Sequence, residues 1–394
     1  MKNIVEIQIL KFLVYLYLVS FFAPLASGDD RHNAVAANVA VFLDLEGGQA
    51  SLGQAAMNGF VLALQAADPG QNRKLFVSLI DTKTNPATTL SAANSVVSAI
   101  SVASGFTDND SVLVAGPIFE DEEVPFLSIG ATDPSLPDTI GKSIFLVPFG
   151  DNAQAAAAAE FAQSEFGNTV AILWDATSQY SRTLPRYFRA RFEELGGEVV
   201  FDSAYNGECD ISLLGTQVQD LISTPSFIYL AGLPACIGET VASLRSAGVD
   251  LPIVGGDGLD TPNLFLGGAE LTNDVWYTTH AWLSSETGTP EVQQFISSYE
   301  QAYGNPPQDA FAALGYDAAN LLLDALQRTT DIRPIRITEA LEETSEFQGV
   351  TGTITYSAER RVPDKNVWIV KVTQGESSLA QTMVPSGVPP PFLP

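Results

Sequence analysis

Short apolar runs alternate with longer amphipathic stretches along most of this chain, a βα pattern that predicts parallel sheets with helices on both faces. Residues 39–43 (Val-Ala-Val-Phe-Leu) read as a buried strand, followed by a helix over about 54–67 that Asp68-Pro69-Gly70 ends. Residues 75–80 form the next strand, and Asn85-Pro86 opens a helix to about residue 103, a capping residue with proline in the first turn. Residues 112–115 and 124–129 are read as two further strands. A second series begins near Asn152, with strands at 169–174, 198–205, 227–231 and 252–254. Its helices lie at 182–195, 211–222 and 237–247. Residues 274–281 are extended, helices follow at 290–303, 310–328 and 337–343, and 352–356 with 366–372 are expected to pair as antiparallel strands. One connection stands out. A parallel crossover needs about a dozen residues, yet only 117–123 separate two of these strands. A covering helix does not fit there, so an under-covered, apolar sheet face is expected.

The two ends differ from the middle. Lys2 and Lys11 precede an apolar run over 12–22, and Pro24-Leu25-Ala26-Ser27-Gly28 leads into Asp29-Asp30-Arg31. This is the layout of a cleaved signal peptide, residues 1–28. The run is shorter than the roughly 20 residues of a membrane span, and cleavage is expected between Ala26 and Arg31, with a retained anchor as the alternative. Beyond Thr373 the chain turns to Ser, Gln and Pro, and residues 379–394 are expected to be disordered.

The 394 residues suggest two or three folding units, and 46% hydrophobic content is enough for their cores. Forty-six acidic against nineteen basic side chains leave a net charge of −27, which repels nucleic acid. A structural zinc site wants four Cys/His ligands, which would take both cysteines and both histidines of the chain, and Cys209 and Cys236 form no CxxC motif, so zinc and thioredoxin-like redox chemistry are not expected. Both follow neighbouring strands at the same sheet end, so one disulfide between them is expected in an exported chain. GxSxG, GxxxxGK[ST] and HExxH motifs are missing, which removes the usual anchors of hydrolases, nucleotide triphosphatases and zincins. Carboxylate pairs such as Asp44 and Glu46 are better read as solvated surface, and His280 as a hydrogen-bonded structural histidine near a domain crossover. No cofactor is implied. Ligands in such sheets bind beyond the carboxyl ends of strands, which directs attention to the loops at 44–53, 130–134, 175–181, 232–236 and 255–260.

Those loops carry a resemblance. Glu46-Gly47-Gly48-Gln49-Ala50-Ser51-Leu52-Gly53-Gln54, Asp81-Thr82-Lys83-Thr84-Asn85-Pro86, Val124-Pro125-Phe126-Leu127-Ser128 with Gly130-Ala131-Thr132-Asp133-Pro134, Gly255-Gly256-Asp257-Gly258, and Ala310-Phe311-Ala312 with Gly315-Tyr316-Asp317 occur in order. Together they resemble the type I periplasmic binding proteins, the leucine/isoleucine/valine-binding family of ABC importers. The resemblance implies a two-lobed type I α/β fold with three interlobe crossovers, lobe 1 at 34–148 and 279–364, lobe 2 at 149–278 and 365–378. It implies a monomer without catalysis, which closes on a small polar or amphipathic ligand, amino-acid-like or amide-like, and delivers it to a membrane permease. Thr132 with the backbone of Gly130 and Ala131 falls on the carboxylate side, Asp257 on the ammonium position, and Tyr180 and Phe311 on aromatic walls. Ser51 belongs to the first loop. Leu52 and Leu233 replace residues that are often aromatic, and the serine-rich loop and helix expected after Gly116 are missing. The alternatives are a ligand sensor of the same fold and, more remotely, an exported hydrolase.

Overall fold

The computed structural model describes residues 7–12, 14–20, 35–67, 73–222, 224–329 and 331–393. The first half runs β1 (Ile7–Phe12), β2 (Val14–Ser20), β3 (Val35–Leu43), α1 (Ala50–Ala66), β4 (Arg73–Asp81), α2 (Pro86–Val96), β5 (Val102–Gly105), α3 (Asn109–Asp121), β6 (Phe126–Ser128), α4 (Leu136–Ile140) and β7 (Ile144–Leu146). These strands form one sheet in the order β1-β2-β4-β3-β5-β6-β7, parallel from β4 to β7. Within the expected leader, β1 and β2 pair as an antiparallel hairpin beside β4, and the expected cleavage region lies outside the described residues.

The chain then enters a second sheet through α5 (Asp151–Phe166), β8 (Thr169–Asp175), α6 (Gln179–Glu194), β9 (Glu198–Tyr205), α7 (Ser212–Gln219), β10 (Phe227–Ala231), α8 (Ile237–Ser246), β11 (Ile253–Gly255) and β12 (Val275–Thr279). It returns to the first lobe with α9 (Pro290–Tyr303), α10 (Phe311–Arg328), α11 (Pro334–Glu342) and the hairpin β13 (Phe347–Gly349) with β14 (Gly352–Ile354). It ends in the second sheet with β15 (Val367–Thr373) and β16 (Glu376–Met383), in the order β16-β15-β12-β11-β10-β8-β9. The result is a two-lobed α/β fold crossed three times by the chain. Among the described residues, no helix is long and apolar enough to cross a membrane.

Three expectations are corrected. The segment 112–115 is helical, inside α3, and the strand before β6 is β5, whose first two residues the expected helix to about residue 103 took in. Asp108 caps α3 by accepting from Ser111 N at 2.7 Å, which stops extended backbone there and starts a helix. A full covering helix therefore joins β5 to β6. Its Phe119 packs with Phe42 and Phe126 at centroid distances of 5.6 and 5.3 Å, so the face expected to be bare is buried. Second, β14 pairs with β13 and β15 with β12 and β16, rather than β14 with β15. Third, the C-terminal segment is ordered. β16 extends the sheet, and beyond it Phe392 stacks on Tyr187 at 4.4 Å while Ser386 N donates to Glu160. Proline there suits an extended strap, which needs no helix or ladder of its own. The disulfide Cys209–Cys236 ties the loops after β9 and β10, with Cα atoms 4.9 Å apart.

Candidate functional site

The strands of both sheets end at one interlobe cleft. Lobe 1 lines it with Gln49 and Leu52 at the start of α1, Thr107, Asp108 and Asn109 between β5 and α3, Gly130 and Thr132 after β6, and Phe311 at the start of α10. Lobe 2 contributes Tyr180 at the start of α6, Leu233 and Pro234 after β10, and Asp257 and Gly258 after β11. Seven of the nine expected ligand-binding residues thus share the cleft wall: Leu52, Gly130, Thr132, Tyr180, Leu233, Asp257 and Phe311. Ser51 sits at the lobe junction, its Oγ 3.3 Å from Thr261 Oγ1. Ala131 points into the lobe 1 core. Glycine is required at 130, where a Cβ would lie 2.7 Å from the Phe311 ring, and at 256, where it would lie 2.4 Å from Tyr180 Oη.

The polar groups of the wall are already engaged with one another. Gly130 N donates to Phe106 O at 3.0 Å, Ala131 N to Ser128 Oγ at 3.1 Å, and Thr132 N to Asn109 Oδ1 at 2.9 Å. Thr107 donates its hydroxyl to Asp44 Oδ2 at 2.9 Å. Asp257 is 2% exposed rather than a free carboxylate at the rim. Its Oδ1 accepts from Gln154 Nε2 and Tyr180 Oη, both at 2.8 Å, and its Oδ2 lies 2.9 Å from His280 Nε2. Gln154 links further, donating to Asp151 Oδ1 at 2.9 Å and accepting from Thr278 Oγ1 at 2.6 Å. His280 is therefore a buried, hydrogen-bonded residue at the crossover after β12, stacked on Phe149 at 3.9 Å.

Acidity dominates the surroundings. Burial, followed by the neighbouring charges of Asp257 and Asp133, raises the Asp151 carboxyl well above the ordinary range. Burial and then Asp44 push Asp108 up to about 7, and burial pushes Asp260 up to about 6. Desolvation lowers His280, against the pull of Asp257. Across the cleft mouth the lobes touch: Gln179 N donates to Asp110 Oδ2 at 3.0 Å, Arg182 Nη2 lies 3.9 Å from Asp110 Oδ1, Gln179 Nε2 donates to Asp133, and Ala310 N donates to Asp260 Oδ2 at 3.1 Å. This is a closed arrangement of the two lobes.

Sequence reasoning missed Thr107, Asp108 and Asn109, because it placed a strand where α3 begins. The signal was present. Asp108 stands three residues before Ser111, and the apolar positions Val112, Ala115 and Phe119 keep helical spacing after it.

The sequence profile of the periplasmic binding protein family matches residues 36–377. The leucine-, isoleucine-, valine-, threonine- and alanine-binding protein of Pseudomonas aeruginosa is 22% identical over 281 residues, covering 71% of this chain and 73% of that protein. Among solved structures, a leucine-binding protein LivK from Thermotoga maritima superposes with a TM-score of 0.82 at 28% identity, covering 89% of this chain and 99% of the other. A solute-binding protein of an ABC transporter from R. palustris, in complex with benzoate, gives 0.78 at 20% identity, covering 91% and 99%.

Proposed function

The chain belongs to the periplasmic binding protein family, a family of solute binders rather than enzymes, and on that premise we propose that it captures a small solute outside the cytoplasm for an ABC importer. The observation that carries this reading is the single cleft walled by both lobes at the carboxyl ends of their strands, with contacts that bridge its mouth. The mix of polar and apolar side chains in its wall fits a small ligand that is amino-acid-like or amide-like. Closing the lobes on it buries the ligand and presents one shape, in which both lobes are fixed, to the permease. The apolar leader with its small-residue junction supports export, cleavage near residue 28 and a mature protein in the periplasm or outside the cell. The Cys209–Cys236 disulfide fits an oxidising compartment.

Leu52, Thr132, Tyr180, Leu233, Asp257 and Phe311 are the wall residues proposed to touch the ligand, with Leu52, Leu233 and Phe311 as its apolar side. A thermal-shift screen of the mature chain against amino acids, amides, amines and aromatic acids tests the reading. A ligand at 100 times its dissociation constant adds about 2.7 kcal/mol of stability, and X-ray scattering should show no expansion on binding. A mature chain that none of these classes stabilises would overturn it.

A further inference from the structure

From the hydrogen-bond inventory of the cleft we infer that its ligand is a small organic cation, an amine, amidine or guanidinium, that carries no free carboxylate. The inference rests on the solute-binding reading and specifies its ligand. Two formally charged side chains line the cleft, Asp108 from lobe 1 and Asp257 from lobe 2, and no Lys, Arg or His is among the lining residues. Arg182, on the contact between the lobes, faces Asp110.

The donors that a ligand carboxylate would use are committed inside the protein. The N–H groups of Gly130, Ala131 and Thr132 go to Phe106 O, Ser128 Oγ and Asn109 Oδ1. Gly258 N donates to Tyr180 Oη, and Asp257 N to Gln154 Oε1. The hydroxyls of Thr107 and Tyr180 are committed in the same sense, donating to Asp44 and Asp257. What these groups still offer is lone pairs.

Acceptors, by contrast, are in excess. A carboxylate has about four acceptor positions. Asp108 uses two of them on Ser111, and Asp257 uses three on Gln154, Tyr180 and His280. Gln49 also lines the cleft; it is 5% exposed and its Oε1 has no partner, so its amide can turn an acceptor or its N–H donors to a ligand. The first turn of α1, which no side chain caps, is the positive feature opposing this. Its half charge is set against Asp257 and, once it has lost its proton, Asp108. Among the described residues, no three acid, His or Cys side chains converge as metal ligands do, so the geometry suits an organic cation with spaced N–H groups.

Matched pairs that differ in the charged end test the inference by calorimetry on the mature chain: benzamidine against benzoate, 3-methylbutylamine against leucine, and agmatine against arginine. In at least one pair the cation without a carboxylate should bind about tenfold or more tighter, the factor of a charge-assisted hydrogen bond. Asp108→Asn, which keeps a capping side chain for α3, should reduce that preference several-fold while the variant melts cooperatively. A carboxylate member that binds as tightly as its partner would overturn the inference and leave the solute-binding reading standing. So would a preference unchanged in Asp108→Asn, or binding of ligands from the wider screen with none of the three cations among them.

Discussion

Asp108 combines two roles that pull in opposite directions. Its carboxylate caps α3 through Ser111 N at 2.7 Å and Ser111 Oγ at 2.9 Å, which favours the ionised form. Burial and the charge of Asp44 outweigh the cap and push the group up to about 7 from an ordinary 3.8. The sign of the linkage follows. Between about 4 and 7 the folded protein holds this proton and the unfolded chain has released it, so this residue's contribution falls as pH rises through the window and is flat above it. Asp260, at about 6, and Asp151 and Asp309, both raised, act in the same direction. In urea unfolding of the ligand-free protein, Asp108→Asn should match the parent near pH 4 and exceed it at pH 8. Parallel stability curves for the two proteins across that range would show that Asp108 is ionised throughout. Position 257 illustrates what sequence does not reveal about a residue. Its place between glycines after a strand was legible, and so was its location at the cleft, but Gln154 and His280 approach it from 103 and 23 residues away. No local pattern encodes those donors.

At the scale of elements, most helices and strands were legible because each has its own period and its own punctuation. Strand β9 at 198–205 and helix α9 at 290–303 have the bounds that the pattern predicts, the latter with Thr289 capping Val292 N and Gly304 closing it at φ 80°. The reading failed where apolar runs are short. Val112-Leu-Val-Ala and Val102-Ala-Ser-Gly look alike to periodicity, and only the cap at Asp108 separates helix from strand. The resulting error propagated into a missing helix, a bare sheet face and a lost part of the site. The C-terminal strap is another tertiary effect. Its prolines forbid helix, and its order comes from surfaces that α5 and α6 provide: Asn152 donates to Pro389 O at 2.8 Å, Phe392 N to Tyr187 Oη at 2.9 Å, and Arg186 lies 4.6 Å above the Phe392 ring. Phe392→Ala should lower the unfolding free energy by about 1 to 2 kcal/mol, from lost apolar area and ring stacking. An unchanged value in chemical denaturation would mean that the strap lies on lobe 2 without stabilising it.

For the whole molecule, a net charge of −27 and a cleft walled by two acids set the kinetics of capture as well as its selectivity. A cationic solute is drawn toward such a surface over roughly 8 Å at physiological ionic strength, the screening length, and a cleft with low-dielectric walls focuses that field. Retention is a separate matter, decided by the contacts that bridge the lobes. The Arg182–Asp110 pair is 3.9 Å apart with both side chains over a third exposed, so it contributes about 0 to 1 kcal/mol. The backbone N–H of Gln179 on the other oxygen of Asp110 adds a directed hydrogen bond between the lobes. Attraction and closure therefore depend on different residues and separate in a kinetic experiment. In stopped-flow binding of a cationic probe such as benzamidine, the association rate should fall about tenfold or more between low and high salt, and Asp110→Asn should leave that slope nearly intact while raising the dissociation rate a few-fold. An association rate indifferent to salt would mean that neither the net charge nor the acidic wall guides the solute. A dissociation rate unmoved by Asp110→Asn would place the closing contacts elsewhere, with Ser51–Thr261, Gln179–Asp133 and Ala310–Asp260 among the other bridges to remove.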